Sequence, residues 1–274
     1  MSRSPLPPTI LAAAAAALAL SPGAASAAAA APTVRATADG TAVTVEAPAG
    51  LRAGALTLRL SVHSPSKPRT LTVLRLRDGA SAAEAAGTDT QGLGDVRALE
   101  RRAVLVSGAT VRPGTGFRST IPAAAGRYAI VDESADPPAY ATFDVGAGEA
   151  GAKAPAATGR LRMGDRSFGA PRRIARRGVL RIDNAGTRPH HVLAIRIAQR
   201  MSDARAIELA RDGGDLSRIG YASDLLGLVS AGTSNRVHYR LKGGRWVLVS
   251  YYGALLPDAK PDALRGLVDV VRVK

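Results

Sequence analysis

Residues 178–197 read GVLRIDNAGTRPHHVLAIRI. Val179, Leu180 and Ile182 make an apolar run that stops at Asn184-Ala185-Gly186, a triplet in which Asn or Gly can take positive φ. Val192 to Ile197 then runs apolar again. The stretch is therefore predicted as strand, turn, strand, with the Pro189-His190 step opening the second strand. Together with residues 245–273 it reads as the middle of an antiparallel β-sandwich.

The same order of segments occurs once earlier in the chain. Leu51-Arg52-Ala53-Gly54 and the alternating LTLRLSV match Ile174 to Gly178 and VLRID. LTVLRL at 71–76 matches VLAIRI at 192–197, and GRYAIV at 126–131 matches GRWVLV at 244–249. VSGATVRPGT at 106–115 resembles LGLVSAGT at 226–233, and FDV at 143–145 is matched to VDV at 268–270. Two copies of one all-β unit, of a size typical of sandwich domains, follow from this repetition. Residues 28–145 form the first domain and 159–274 the second. Residues 146–158, GAGEAGAKAPAAT, have the small, aperiodic composition of a flexible linker.

Local signals agree. Asp39-Gly40 between two alternating runs predicts a hairpin. Ser81 and Glu84 have the spacing of a capping box, and Ser202 is placed to cap a helix over 202–211. Each domain is therefore expected to carry a short helical insertion.

Residues 1–27 read as an address. Arg3 precedes an uncharged apolar run over 10–20, Pro22-Gly23 breaks it, and Ala25-Ser26-Ala27 supplies a small-x-small cleavage site. This layout predicts a secretory signal peptide with Ala28 as the mature start. No later run has membrane-spanning length, so an exported protein without a transmembrane segment is expected. The chain has no cysteine, which removes disulfides, thiolate metal sites and cysteine nucleophiles. Residues 151–274 carry 23 Lys and Arg against 10 Asp and Glu, whereas residues 28–150 carry 13 against 12. The basic second half suits an anionic envelope component or an acidic protein. The export signal and the lack of any RNA-binding motif argue against specific nucleic-acid binding.

Asn184-Ala185-Gly186, Pro189-His190, the aromatic strand Gly244 to Val249 and Gly266-Leu267-Val268 resemble the cupredoxins, the plastocyanin- and azurin-like blue copper proteins. The resemblance covers residues 160–274 and extends more loosely to the first repeat. It implies two tandem Greek-key β-sandwiches. It also implies where copper ligands would stand. His190 takes the first histidine position, Ser250 that of the cysteine, Asp262 that of the second histidine and Leu267 that of the methionine. In the first repeat Arg69 and Asp132 stand near the histidine and cysteine positions, and the loop 133–139 is short for the remaining ligands. Blue copper needs a thiolate and two imidazoles, so the resemblance implies a scaffold without that site and no cofactor.

His190 and His191 open a strand, so their rings are expected on opposite faces. The resemblance brings His190, Ser250 and Asp262 together, which are the residue types of a hydrolytic triad. Nothing in the sequence supplies an oxyanion hole or a strained turn at Ser250. The reading is a non-enzymatic binding protein whose contact surface is Arg188, His190, Tyr251, Tyr252 and Lys260. A low-affinity metal-handling protein is the alternative, and a hydrolase using His190, Ser250 and Asp262 comes third.

Overall fold

The computed structural model describes residues 29–63, 67–88, 96–149, 151–212, 215–251 and 262–274. The predicted signal peptide lies outside them, as do Tyr252 and Lys260. The chain is mostly β. In the first half β1 (Thr33–Asp39), β2 (Ala42–Glu46), β3 (Arg52–Val62) and β4 (Arg69–Leu76) are followed by two short helices, α1 (Ala82–Ala86) and α2 (Val96–Arg102). Next come β5 (Ala103–Val111), β6 (Gly116–Ala123), β7 (Gly126–Asp132) and β8 (Ala139–Glu149). The second half holds β9 (Gly159–Met163), β10 (Phe168–Gly169), β11 (Arg173–Ile174), β12 (Arg177–Asn184) and β13 (His190–Arg196). After α3 (Asp203–Asp212) it continues with β14 (Ala222–Val229), β15 (Ser234–Arg240), β16 (Gly244–Val249) and β17 (Val268–Val273).

The predicted local signals form as expected. Gly40 takes φ 55° between β1 and β2, with Asp39 opposite Ala42, as a tight hairpin loop requires. Ser81 Oγ accepts from the Glu84 amide at 3.1 Å, and the Ser81 amide donates to Glu84 Oε2 at 3.5 Å. Ser202 Oγ accepts from the Arg205 amide at 3.2 Å, which caps α3. The helices α1 and α2 lie between β4 and β5, and α3 lies between β13 and β14.

The pairings of the first half recur in the second. β1 runs parallel to β3, and β9 parallel to β12. β3 pairs antiparallel with β6, and β12 with β15. β4 lies between β5 and β7, and β13 between β14 and β16. β7 pairs with β8, and β16 with β17. Side-chain details repeat as well. Tyr128 donates its hydroxyl to the carbonyl four residues back, Ala124 O, at 2.9 Å, and Trp246 Nε1 donates to Lys242 O at 2.9 Å. Gly114 and Gly232 have φ 71° and 77° in two V-x-x-G-T turns. In these turns the Thr115 and Thr233 hydroxyls each donate at 2.7 Å to the carbonyl three residues back.

Two sequence matches need correction. Phe143 lies opposite Tyr128 and Val271 lies opposite Trp246, so Phe143 corresponds to Val271 rather than Val268. A run such as VDVVRV alternates well enough to fit either offset, and only the pairing register separates them. β8 also continues through Glu149 into the stretch read as linker, because Arg52 pairs with Gly146 and donates to Ala147 O at 2.8 Å.

The halves are joined edge to edge. β15 pairs with β6 at Arg236↔Thr120 and Val237↔Ser119, so hydrogen bonding continues from β10 to β5 in one connected sheet. A smaller sheet has the order β11-β17-β16-β13-β14. Leu56, Leu58 and Leu60 of β3, Leu180 and Ile182 of β12, and Trp246 of β16 belong to one continuous buried apolar cluster.

A buried acid ties the start of β15 to β9 and β12. Asp183 accepts from Arg160 Nε at 2.7 Å, Arg181 Nε at 2.8 Å and Ser234 Oγ at 2.7 Å. Burial alone would raise its pKa, but hydrogen bonds from Arg181, Ser234 and Arg160 outweigh it and hold the carboxyl below its ordinary range. A depressed folded-state pKa gives stability that is present above the ordinary carboxylate range and lost as pH falls through the folded value. Asp183→Asn is therefore expected to cost about 1–2 kcal/mol at neutral pH, reduced because both arginines are partly exposed. Urea denaturation at about pH 7 and about pH 3 checks this, with a shallower acid loss in the variant than in the wild type. Equal acid slopes would remove Asp183 as a contributor.

Candidate functional site

β13 opens with His190, and Ser250 directly follows β16. Leu193 stands opposite Val249, so one further step places Val192 opposite Ser250. In the first half β4 opens with Arg69, β7 ends with Asp132, and Leu71 stands opposite Asp132. His190 and Arg69 thus occupy the same place in the pairing pattern, and so do Ser250 and Asp132.

The structure brings His190, Ser250 and Asp262 together. His190 Nδ1 lies 2.7 Å from Asp262 Oδ2, and Ser250 Oγ donates to the same oxygen at 2.9 Å. All three residues are at most 1% exposed. Asp262 sits in a 3-10 turn, Asp262–Arg265, and its carbonyl accepts from the Leu267 amide at 3.0 Å. Leu267 O in turn accepts from the Ser250 amide at 3.1 Å. Leu267 is fully buried in the main apolar cluster.

Two further groups reach the cluster. Asp165, in the Gly164–Ser167 turn, places Oδ1 3.3 Å from His190 Nε2. It also accepts from the Thr187 amide at 2.8 Å and the Thr187 hydroxyl at 2.9 Å. Burial alone would raise Asp165, but Thr187 and His190 outweigh it and hold the carboxyl below its usual range. A Cβ on Gly186 would collide with Asp165 Oδ1 and lie 2.8 Å from His190 Nε2, so only glycine leaves room for this approach. Asn184 holds the turn in place. Its Nδ2 donates to Arg188 O and Val229 O, and its Oδ1 accepts from the Gly186 amide.

Burial along β13 alternates from His190 to Ala194, with His190 enclosed and His191 half-buried, as rings on opposite faces of a strand require, and the β13–β14 register shifts place the extra residues on β14. His191 Nδ1 lies 3.5 Å from Ser250 Oγ, at the outer limit of a hydrogen bond, so both rings approach the Ser250–Asp262 cluster. Burial pushes the His191 imidazole below its usual pKa, against the opposing pull of Asp224 and Asp262.

The expected contact surface does not assemble from its described members. His190 is enclosed, with a carboxylate at each ring nitrogen. The Tyr251 hydroxyl donates to Ala210 O of α3, and burial holds its pKa far above the ordinary phenol value. Arg188 is half-buried. Tyr252 and Lys260 lie outside the described residues.

This donor set does not fit a blue copper ion. The thiolate position is a hydroxyl, the thioether position is a buried hydrocarbon, and the His190 nitrogens face carboxylates rather than a shared point. Among the described residues no group of three His, Asp or Glu side chains is arranged to hold a metal ion. The wiring is not that of a hydrolytic triad either, where the serine hydroxyl bonds to the imidazole. Here Ser250 Oγ donates to the carboxylate and the far nitrogen of His190 faces Asp165. At the matching place in the first half, Arg69 Nε lies 2.6 Å from Asp132 Oδ2. That oxygen has no aligned hydrogen-bond donor, so the contact is an ion pair by proximity. Arg69 also donates to Gly40 O.

No protein-family model matches the chain, and no curated protein sequence matches it. Among solved structures it is similar to reduced auracyanin from the photosynthetic bacterium Roseiflexus castenholzii. The identity is 15%, the TM-score 0.27, and the alignment covers 42% of this chain and 94% of that one. It is similar to a multicopper oxidase at 13% identity and TM-score 0.26, over 88% of each chain. It is also similar to the copper nitrite reductase of Nitrosomonas europaea at 12% identity and TM-score 0.27, over 88% of this chain and 93% of that one. The likeness is to a cupredoxin and to enzymes with cupredoxin-like domains.

Proposed function

We propose that the chain is an exported pair of tandem Greek-key, cupredoxin-like domains that acts as a binding or interaction protein, and neither carries electrons through copper nor catalyses a reaction. The repeated pairing pattern, the two aromatic-to-carbonyl hydrogen bonds and the two V-x-x-G-T turns support the tandem arrangement. One observation carries the copper-free reading. Asp262 Oδ2 receives both His190 Nδ1 and Ser250 Oγ in a buried cluster, so the groups at the ligand positions satisfy one another. In the first half the matching positions hold an Arg69–Asp132 ion pair instead of a ligand set. The export signal and the basic second half support an anionic envelope component or an acidic protein as partner.

Elemental analysis of residues 28–274 purified from the native compartment tests this, followed by titration with copper(I), copper(II) and zinc. The expected result is no stoichiometric metal and no saturable binding. One tightly held ion per chain would overturn the reading and favour a metal-handling protein using His190 and its neighbouring carboxylates.

A further inference from the structure

β6 and β15 hydrogen-bond at only two residue pairs and then separate. A cleft of about 950 Å³ opens where they part, with walls from both halves of the chain. Its apolar wall includes Phe117, Val179, Leu193, Leu225, Val237 and Leu241. Its charged lining is mostly cationic, with Arg112, Arg118, Arg177 and Arg240 all exposed and the half-buried His238 beside them, among uncharged polar residues such as Thr110, Thr115 and Ser223. The one acid in the lining, Asp224, has Oδ2 engaged by the Thr110 amide at 2.8 Å.

The cations are placed against one another. Arg177 stands directly opposite Arg240 across β12–β15, and Arg118 directly opposite Arg59 across β6–β3. Like charges at such positions are destabilising. None of these four arginines forms an ion pair among the described residues, whereas Arg160 and Arg181 on the same connected sheet converge on Asp183. His238 Nε2 is buried without a hydrogen-bond partner. Burial and the charges of Arg118 and Arg59 lower its pKa, so the imidazole faces an uncompensated positive field. Arg112 is already positioned, stacked 4.7 Å over the Tyr221 ring and donating to Ala222 O.

We propose that this cleft binds an amphipathic organic anion, with an apolar or aromatic body seated against Phe117, Leu193 and Leu225 and carboxylate or phosphate groups held by Arg118, Arg177 and Arg240. An apolar wall with a few convergent charged groups is the usual build of a small-molecule site, and the volume falls in the usual range for one. Guanidinium groups pair with carboxylate and phosphate in a bidentate manner. A bound anion would relieve the opposed arginines and give His238 a partner. His190, Ser250 and Asp262 do not line the cleft, so the inference holds or fails independently of the metal question.

The test is a fluorescence titration of the folded protein with 8-anilinonaphthalene-1-sulfonate, an aromatic anion, beside its uncharged counterpart N-phenyl-1-naphthylamine. One saturable site is expected for the anion, with at least tenfold weaker binding of the neutral dye. Arg118→Gln/Arg240→Gln, both at exposed positions, is expected to weaken the anion at least tenfold while leaving the circular dichroism spectrum unchanged. Equal binding of both dyes, unchanged affinity in the variant, or many weak sites would overturn the proposal. Salt-sensitive heparin binding with no saturable dye site would also overturn it and assign the basic face to a polymer instead.

Discussion

Asp262→Ala lowers the unfolding free energy by about 3–5 kcal/mol, the range for removing one partner from a buried charged cluster. Asp262 is 1% exposed, and a single oxygen, Oδ2, serves both His190 and Ser250. Alanine leaves Nδ1–H and Oγ–H without that acceptor in a site closed to water. Asp262→Asn keeps an oxygen acceptor at the same place and is expected to cost less than half as much. Urea unfolding followed by circular dichroism measures both variants. A loss below about 1 kcal/mol for the alanine variant, the level of an ordinary solvated hydrogen bond, would mean that the cluster is open to water. The claim that it fills the ligand positions would then fail.

In the first half, Arg69→Ala is expected to cost about 3–5 kcal/mol, because it strands a buried carboxylate. Asp132 is fully buried and Arg69 is 8% exposed. Burial raises Asp132 above its usual pKa, against the Ser134 amide and Arg69, which favour the charged form. Desolvation therefore dominates at this site, and the pair as a whole contributes little. The double variant Arg69→Met/Asp132→Leu removes both charges and fills the space with hydrocarbon. It is expected to fall within about 1 kcal/mol of wild type or above it, since apolar replacement of a buried ion pair is often neutral or stabilising. Thermal and urea denaturation of the single and double variants decide this. A double variant as damaged as the single would show that the pair itself stabilises the fold.

Much of the strand order was legible in the sequence, because the second half repeats the short apolar runs of the first. The His190–Ser250–Asp262 convergence was legible too, through the resemblance to the cupredoxin ligand positions rather than any local motif. Asp165 was not, since it lies in a turn without periodicity and reaches His190 only through chain folding. Gly186 carried the one available sign, a glycine after Asn184 where a side chain would collide with Asp165. The approach of His191 to Ser250 Oγ was not legible either, because Ser250 lies just past the end of β16 and its hydroxyl is held by Asp262 rather than set by strand alternation. The cleft escaped notice for a different reason. Its arginines come from strands distant in sequence, and an Arg-rich chain gives no hint of which ones will face each other.

Trp246, the only tryptophan in the chain, is 2% exposed and fixed by its hydrogen bond to Lys242 O. Its position gives the molecule a built-in optical asymmetry. Intrinsic emission reports on the half that contains β16, whereas the amide signal sums both halves. Coincident denaturation curves from the two readouts would mean that the short β6–β15 seam makes one cooperative unit. A gap between them would measure, in denaturant concentration, how loosely that seam couples the two halves.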